Sequence, residues 1–502
     1  GGDMASVGLI DFSSDASGNY TNITAHTDVT KEFALSWPYK FTYIGANPAA
    51  PTKIGGKTKV TITGGRIGTG QIGSPTRTTD SYDTTSGYVY GGSKGKAMER
   101  TTEAFLANVR ETEVNVHYAS TPASDDGSTT ACILGAVYGG GENGHVYEDT
   151  KVDITGGLIG YSVYGGGKGK DKYETTLKWW ADDSEYDGQA YSAIAGRVYG
   201  NTRVTMSGGH VERNIYGGGY MASVGKGNYS GATDDYQTNG YGEMTTGSLW
   251  TSSTEGDNAW HFLHSGKTSV RITGGTVGLR INEALHGLPT GNVFGGSQGE
   301  AAPNIFKAPV ALYNPTSQVG NINETEVIIG AAGEAGPRIY GSVYGGGKDG
   351  LIRRDSKVTI YSGEIGIEYS SDNQATLGTD LTSLQWLHRG NVYGAGSGIS
   401  EYQYDFTTPD GTDYETGHSY LAGGVARFSE VDIRGGIIHR NVYGGGSLAR
   451  TGAPKLSGQP YDPYKKGDTA EGHSEGFQSM NTVTISGGTI GEATYGGNVF
   501  GA

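Results

Sequence analysis

The chain has 502 residues, 89 of them glycine, a net charge of −15 and a hydrophobic content of 35%. Glycine follows no G-X-Y period, so a collagen helix is excluded, and an acidic chain without a basic face does not suit duplex nucleic acid. A single cysteine, Cys132, leaves no intrachain disulfide and no Cys metal site, and no run of 18 apolar residues is present to span a bilayer as a helix.

Residues 1–53 read as a partial coil and lead-in. Met4-Ala5-Ser6-Val7-Gly8 repeats Met221-Ala222-Ser223-Val224-Gly225, which follows a Y-G-G-G corner. From residue 54 to 502 one phrase recurs. It opens at Val60, Val152, Val204, Val270, Val358, Val431 and Val483, with weaker copies at Val114 and Val327. Ile or Met lies two residues on and Ile or Val seven on. Gly-Gly fills the fourth and fifth places, except for Ser362-Gly363. An apolar residue precedes the opening valine by six positions at Ile54, Val146, Val198, Ile352, Val425 and Phe477. Downstream comes [V/I]-[Y/F]-G. The pairs Val152/Val163, Val204/Ile215 and Val431/Val442 are each eleven residues apart.

Val-x-Ile puts two branched side chains on one face, the mark of a half-buried strand. A unit of about 22 residues with three short strands and glycine corners describes one coil of an all-β parallel solenoid. Successive coils then stack at roughly 4.8 Å. Antiparallel hairpins also alternate, but they do not require one fixed apolar register in every copy. The register makes Val60, Ile62, Val152, Ile154, Val431, Ile433, Val483 and Ile485 interior, and Thr61, Asp153, Asp432 and Thr484 exterior. Insertions interrupt the array near 69–87, 171–197, 226–262, 301–320, 367–388, 399–424 and 451–476. Long excursions of this kind commonly carry binding, although many are solvated decoration.

The aromatic after the second valine recurs as Tyr90, Tyr138, Tyr164, Tyr216, Phe294, Tyr344, Tyr393, Tyr443 and Phe500. Stacked coils make these a ladder, which stabilises a sheet and can also hold sugar rings. An asparagine stands before that valine or isoleucine at Asn214, Asn292, Asn391, Asn441 and Asn498, where its amide can bond to backbone at a corner.

Enzyme-like strings do not hold together. Gly68-Thr69-Gly70-Gln71-Ile72-Gly73 is followed by no helical pattern, and Gly56-Lys57-Thr58 and Gly266-Lys267-Thr268 run straight into strands. His261 and His264 lack a third ligand. No catalytic or metal residue is assigned. The acidic stretch Asp125-Asp126-Gly127 is of a type that takes calcium, without EF-hand spacing.

Thr482 to Gly491, T-V-T-I-S-G-G-T-I-G, and Asn441 to Gly446, N-V-Y-G-G-G, resemble the large glycine-rich repeat proteins of Bacteroidales-type bacteria, surface or adhesin-like. The resemblance covers most of 54–502, in the repeat phrase alone. It implies an extracellular or cell-surface home and an architectural or adhesive role. Asp83-Thr84-Thr85 and Asp468-Thr469-Ala470 resemble the short O-glycosylation signal of such bacteria, with Thr84 and Thr469 as acceptors.

These readings favour a non-enzymatic extracellular structural protein that builds a fibre or stalk. A carbohydrate-binding adhesin and a polysaccharide-cleaving β-helix enzyme are the alternatives. The partners expected are the chain itself, head to tail, and glycans. Gly1, Gly2, Asp3 and Met4 continue the text of Val499, Phe500, Gly501 and Ala502. The joined string N-V-F-G-A-G-G-D-M-A-S-V-G matches Asn214 to Gly225 with one extra residue. The array is therefore expected to continue past both ends, by further chain or by a second subunit.

Overall fold

A computed structural model describes residues 57–68, 87–97, 107–119, 132–146, 148–178, 185–192, 195–225, 266–279, 291–301, 319–405, 414–418, 422–426, 428–452, 480–492 and 496–501, with short pieces at 43–44, 52–53, 229–230 and 233–234. Three parallel sheets of nine strands each make up the solenoid. Every coil gives one strand to each sheet, so all nine copies of the phrase, the two weak ones included, are coils. They are numbered one to nine here by their opening valines.

The long-strand sheet runs from Lys57–Ile62 to Met480–Ile485. Its register places Val60, Val114, Val152, Val204, Val270, Val327, Val358, Val431 and Val483 in one column. The middle sheet stacks the seventh-place residues from Ile67 to Ile490, with Ile133 and Ile339 taking that column in coils two and six, where the chain reaches it later. The third sheet stacks Val89 through Val499. These columns meet between the sheets as one continuous core. A second, smaller apolar column lines the corner before each long strand, through Val146, Val198, Val224, Ile322, Ile352 and Val425.

The ends of this corner column differ from the sequence reading. Thr451 bridges to Val425 at the last corner, so a polar residue takes the place of an apolar one there. Ile54 and Phe477 lie outside the described residues. Interior and exterior follow the expected register, and burial departs from it at five of the twelve positions. Ile485 is 45% exposed, and Val60 and Val483 are half-buried, because their coils have a described neighbour on one side only. Asp432 keeps its outward register but is only 6% exposed, covered by Arg434, whose Nε donates to it at 2.8 Å. Asp153 is likewise half-buried, between His117 and Thr205.

Two glycine positions are required for different reasons. The fifth-place glycines, such as Gly157 and Gly363, sit at φ of 92° and 99°, where side chains are strained. The first glycine after each ring strand has ordinary φ but no space. A Cβ on Gly217 would collide with the Gly295 carbonyl oxygen of the next coil, and the same collision recurs at Gly91, Gly139, Gly165, Gly295, Gly345, Gly394 and Gly444.

The insertions have a period of their own. After the ring strand, coils two, four, six and eight continue directly into the corner column. Coils one, three, five and seven do not: residues 98–106, 171–194, 302–318 and 399–421 intervene. The two of these that are described, in coils three and seven, are antiparallel hairpins, Lys172–Lys178 with Glu185–Tyr191 and Glu401–Asp405 with Tyr414–His418. Each leaves through a positive-φ glycine, Gly169 or Gly398, and returns through another, Gly196 or Gly423. A two-stranded hairpin is about 9.6 Å wide, the height of two coils. In keeping with that width, the Tyr191 hydroxyl of coil three donates to Glu300 of coil five at 2.6 Å. At the next corner, residues 226–265 and 453–479 leave after coils four and eight. At these two corners the insertions therefore repeat every four coils, whereas the excursion between Ile365 and Val392 of coil seven has no counterpart between Ile159 and Val163 of coil three.

Gly217→Ala should lower stability by about 3 kcal/mol, because the collision is with backbone. Gly64→Ala, whose Cβ would meet nothing within 4 Å, should change it by about 0.5 kcal/mol. Urea unfolding of the two variants side by side checks this.

Candidate functional site

The predicted ring ladder is present from end to end. Eight consecutive ring pairs, from Tyr90–Tyr138 to Tyr443–Phe500, have centroids 4.6–5.0 Å apart and planes within 4–12°. At that separation parallel rings are offset, a favoured aromatic geometry. The rings lie on the face of the third sheet away from the valine column. Tyr138, Tyr164, Tyr216, Phe294, Tyr344 and Tyr393 are nevertheless buried. The turn after each ring strand folds back over them, and Gln298 accepts the Tyr164 hydroxyl at 2.5 Å. Burial pushes the Tyr138, Tyr164, Tyr216 and Tyr344 hydroxyls far above the ordinary phenol value. A sugar ring has no open face to stack on in this central stretch. Phe500, at 41% exposure, is the most open ring of the column.

The asparagine corner forms the expected ladder, with serine as an equivalent rung. The Asn214 backbone N–H donates to Ser162 Oγ at 3.3 Å, Asn292 to Asn214 Oδ1 at 2.9 Å and Ser342 to Asn292 Oδ1 at 2.8 Å. Asn391 then donates to Ser342 Oγ at 3.0 Å, Asn441 to Asn391 Oδ1 at 3.2 Å and Asn498 to Asn441 Oδ1 at 2.9 Å. Each side chain thus accepts a corner N–H of the coil above it, a donor that strand pairing leaves over.

A third ladder was missed in the sequence. Two residues before the opening valine in coils one to eight stands Thr58, Thr112, Thr150, Thr202, Thr268, Thr325, Ser356 or Ser429, side chain inward and buried. Each hydroxyl donates to the carbonyl of a first corner glycine, as Thr58 to Gly91 at 2.5 Å, Thr150 to Gly165 at 2.6 Å and Thr268 to Gly295 at 2.5 Å. The pairs Thr112–Gly139, Thr202–Gly217, Thr325–Gly345, Ser356–Gly394 and Ser429–Gly444 repeat it. This pins the long-strand sheet to the ring sheet within each of coils one to eight. The signal was available, a hydroxyl at the same place in eight copies, but alternation alone marks that place only as inward.

Buried arginines mark where excursions leave. Arg197 Nε donates to the Gly225 carbonyl at 2.9 Å, Arg389 Nη1 to Leu279 at 3.2 Å and Arg440 Nη2 to Ile367 at 3.4 Å. Each carbonyl stands at the root of an excursion. Burial pushes the Arg389 guanidinium down to about 10. The excursion 367–388 is folded onto the stack. It holds two short helices, Ser371–Leu377 and Leu384–Leu387, and its Trp386 is buried, with Nε1 donating to the Gly378 carbonyl at 2.7 Å.

Cys132 is buried and its thiol is pushed up by burial, so it is a packing residue of the middle sheet. Among the described residues no group of three or more His, Cys, Asp or Glu is placed to hold a metal ion. Asp125 and Asp126, the acceptors Thr84 and Thr469, and Gly1, Gly2, Asp3, Met4 and Ala502 lie outside the described residues. No helix among the described residues is long and apolar enough to cross a membrane. No family model, no curated protein and no solved structure matches the chain.

Thr268→Val should cost about 1–3 kcal/mol, because it leaves the Gly295 carbonyl without its donor. Tyr216→Ala should cost about 3–5 kcal/mol. Tyr216→Phe should be mild, since Phe294 already serves as a rung. Thermal unfolding, read beside glycan-array binding, separates the roles: a stabilising ladder loses stability in Tyr216→Ala, whereas a glycan site loses binding and keeps its stability.

Proposed function

We propose that this chain is a non-enzymatic extracellular structural protein whose coils continue end to end into a fibre or stalk. The observation that carries the reading is the face of coil nine. Its strands Met480–Ile485, Thr489–Ile490 and Val499–Phe500 are the last of their sheets, so three in-register strand edges lie side by side. On that face Met480 is 58%, Ile485 45%, Val499 48% and Phe500 41% exposed. In coils two to eight the columns of Ile485 and Val499 are buried. An exposed apolar strand edge is a template for pairing.

What fits this face is a further parallel coil of the same register. Valine would then meet valine, ring would meet ring, and the Asn498 amide would accept one more corner N–H. Among the described residues coil one stands at the opposite edge in the same column order, with Val60 and Ile67 only partly buried. A contact between opposite faces is heterologous and propagates instead of closing. The resemblance noted above supports the surface location, and the evenly distributed ladders support a load-carrying role over a single catalytic cleft.

Electron microscopy of the purified 502-residue chain should show end-to-end assemblies whose length grows with concentration. Ile485→Lys with Phe500→Lys should abolish them and leave the circular dichroism spectrum unchanged. Monodisperse single particles at high concentration would overturn the reading. So would polysaccharide turnover that is lost when one carboxylate is replaced.

A further inference from the structure

Cations on the outer face of the long-strand sheet pair with carboxylates of neighbouring coils. Lys57 and Lys59 reach Glu113, Lys267 reaches Glu326 and Lys357 reaches Glu430. Three break the pattern. Lys151, Arg203 and Arg271 are exposed on the same face and form no ion pair among the described residues.

Register sets these three together. Lys151 of coil three lies directly opposite Arg203 of coil four, one strand spacing away. Arg203 faces Ser269 of coil five. Arg271 stands two residues further along that strand, so it shares the face of Arg203 and lies diagonal to it. The carboxylates nearest in register are engaged elsewhere. Glu113, opposite Lys151 on the side of coil two, takes Lys57, Lys59 and the Asn115 amide. Asp153 lies 2.9 Å from His117 Nε2 and accepts the Thr205 hydroxyl. Glu326, opposite Ser269, takes Lys267.

Like charges directly opposite on a sheet destabilise it. A face that elsewhere sets cation against carboxylate loses stability here, and a bound anion restores it. Exposed Thr155 and Ser207, with Ser269, add hydroxyls to the same surface. We propose that coils three to five carry a binding platform for a polysaccharide of carboxylate-bearing sugars. Its carboxylates pair with Lys151, Arg203 and Arg271, and its hydroxyls meet the Thr and Ser side chains. Carboxylates spaced along such a polymer match cations spaced along the coil axis, and each arginine offers a planar fork to one of them. A nucleic acid fits less well. The chain carries −15 overall, three cations neutralise few phosphates, and strands Thr150–Gly156, Thr202–Met206 and Lys267–Ile272 contain no aromatic residue on which a base could stack. The platform lies on a different sheet from the ring ladder and acts in a single chain, with or without end-to-end assembly.

Calorimetric titration of the 502-residue chain with oligogalacturonate, oligomannuronate and hyaluronate oligosaccharides tests this, with methyl-esterified oligogalacturonate as the neutral control. At least one acidic oligomer should bind and the ester should not. Affinity should fall about tenfold between about 50 and 200 mM salt. Replacing Lys151, Arg203 and Arg271 together by Gln should lower low-salt affinity by about tenfold or more. The melting temperature of that variant should be equal or higher, because repulsion is removed and no ion pair is lost. Lys357→Gln, on the same face but paired with Glu430, should bind as the wild type does. Binding of no acidic oligomer, equal binding of the ester, or full affinity in the triple variant would overturn the proposal. So would single-stranded DNA that binds more tightly than every acidic oligomer and is lost in the same variant.

Discussion

Adjacent coils stand one strand spacing apart, about 4.8 Å, and everything in the stack has to fit that interval. The first corner glycine is the tightest case. The carbonyl of the next coil occupies the place of its Cβ, so Y-G-G-G is a packing requirement and not only a turn signal. The aromatic column obeys the same interval, because flat rings can lie offset at it. The hairpins obey it too. Each is wide enough to cover two coils, and the two that are described, in coils three and seven, stand four coils apart.

Stacking identical residues creates a problem of polar satisfaction that the ladders solve. Strand pairing serves the three sheets, but every corner leaves donors and acceptors over. The Asn and Ser column accepts corner N–H groups before the ring strands, and the inward Thr and Ser column donates to the corner carbonyls after them. Before the long strands Asp149 and Asn201 act alike, accepting the Asn201 and Lys267 N–H groups at 2.8 and 3.0 Å. The buried arginines extend the pattern to places where an excursion pulls the chain out of register. Left unpaired, buried groups of this kind cost about 1–3 kcal/mol each.

The outer face of the long-strand sheet adds selection of register to that stability. Lys57 and Lys59 reach Glu113 at 2.9 and 3.2 Å, Lys267 reaches Glu326 at 3.4 Å and Lys357 reaches Glu430 at 2.7 Å, each pair across neighbouring coils. Asn115, with Lys57 and Lys59, holds the Glu113 carboxyl down at about 2. Exposed pairs contribute about 0–1 kcal/mol each. A slip by one coil would set Lys57 beside the Thr150 coil and break several pairs at once, so their effect is felt more in register than in total stability.

The sequence by itself determined the coil: the period, the valine and isoleucine columns, the ring and asparagine ladders, and the fifth-place glycines at positive φ all follow from spacing, because a solenoid repeats its contacts wherever it repeats its residues. Even the weak copies at Val114 and Val327 were legible, since two branched residues in register suffice for a strand between two others. What only the tertiary structure decided concerns pairs far apart in sequence or set by neighbours on both sides. Ile485 reads the same as Ile433 and is exposed because it has no described coil above it. Asp432 reads as an outward carboxylate and is covered because Arg434 folds across it. The partnership of Glu364, His439 and Glu492 spans three coils separated by insertions of unequal length, and the burial of Trp386 depends on two short helices folding back on the stack. No period records such contacts, because each is made once.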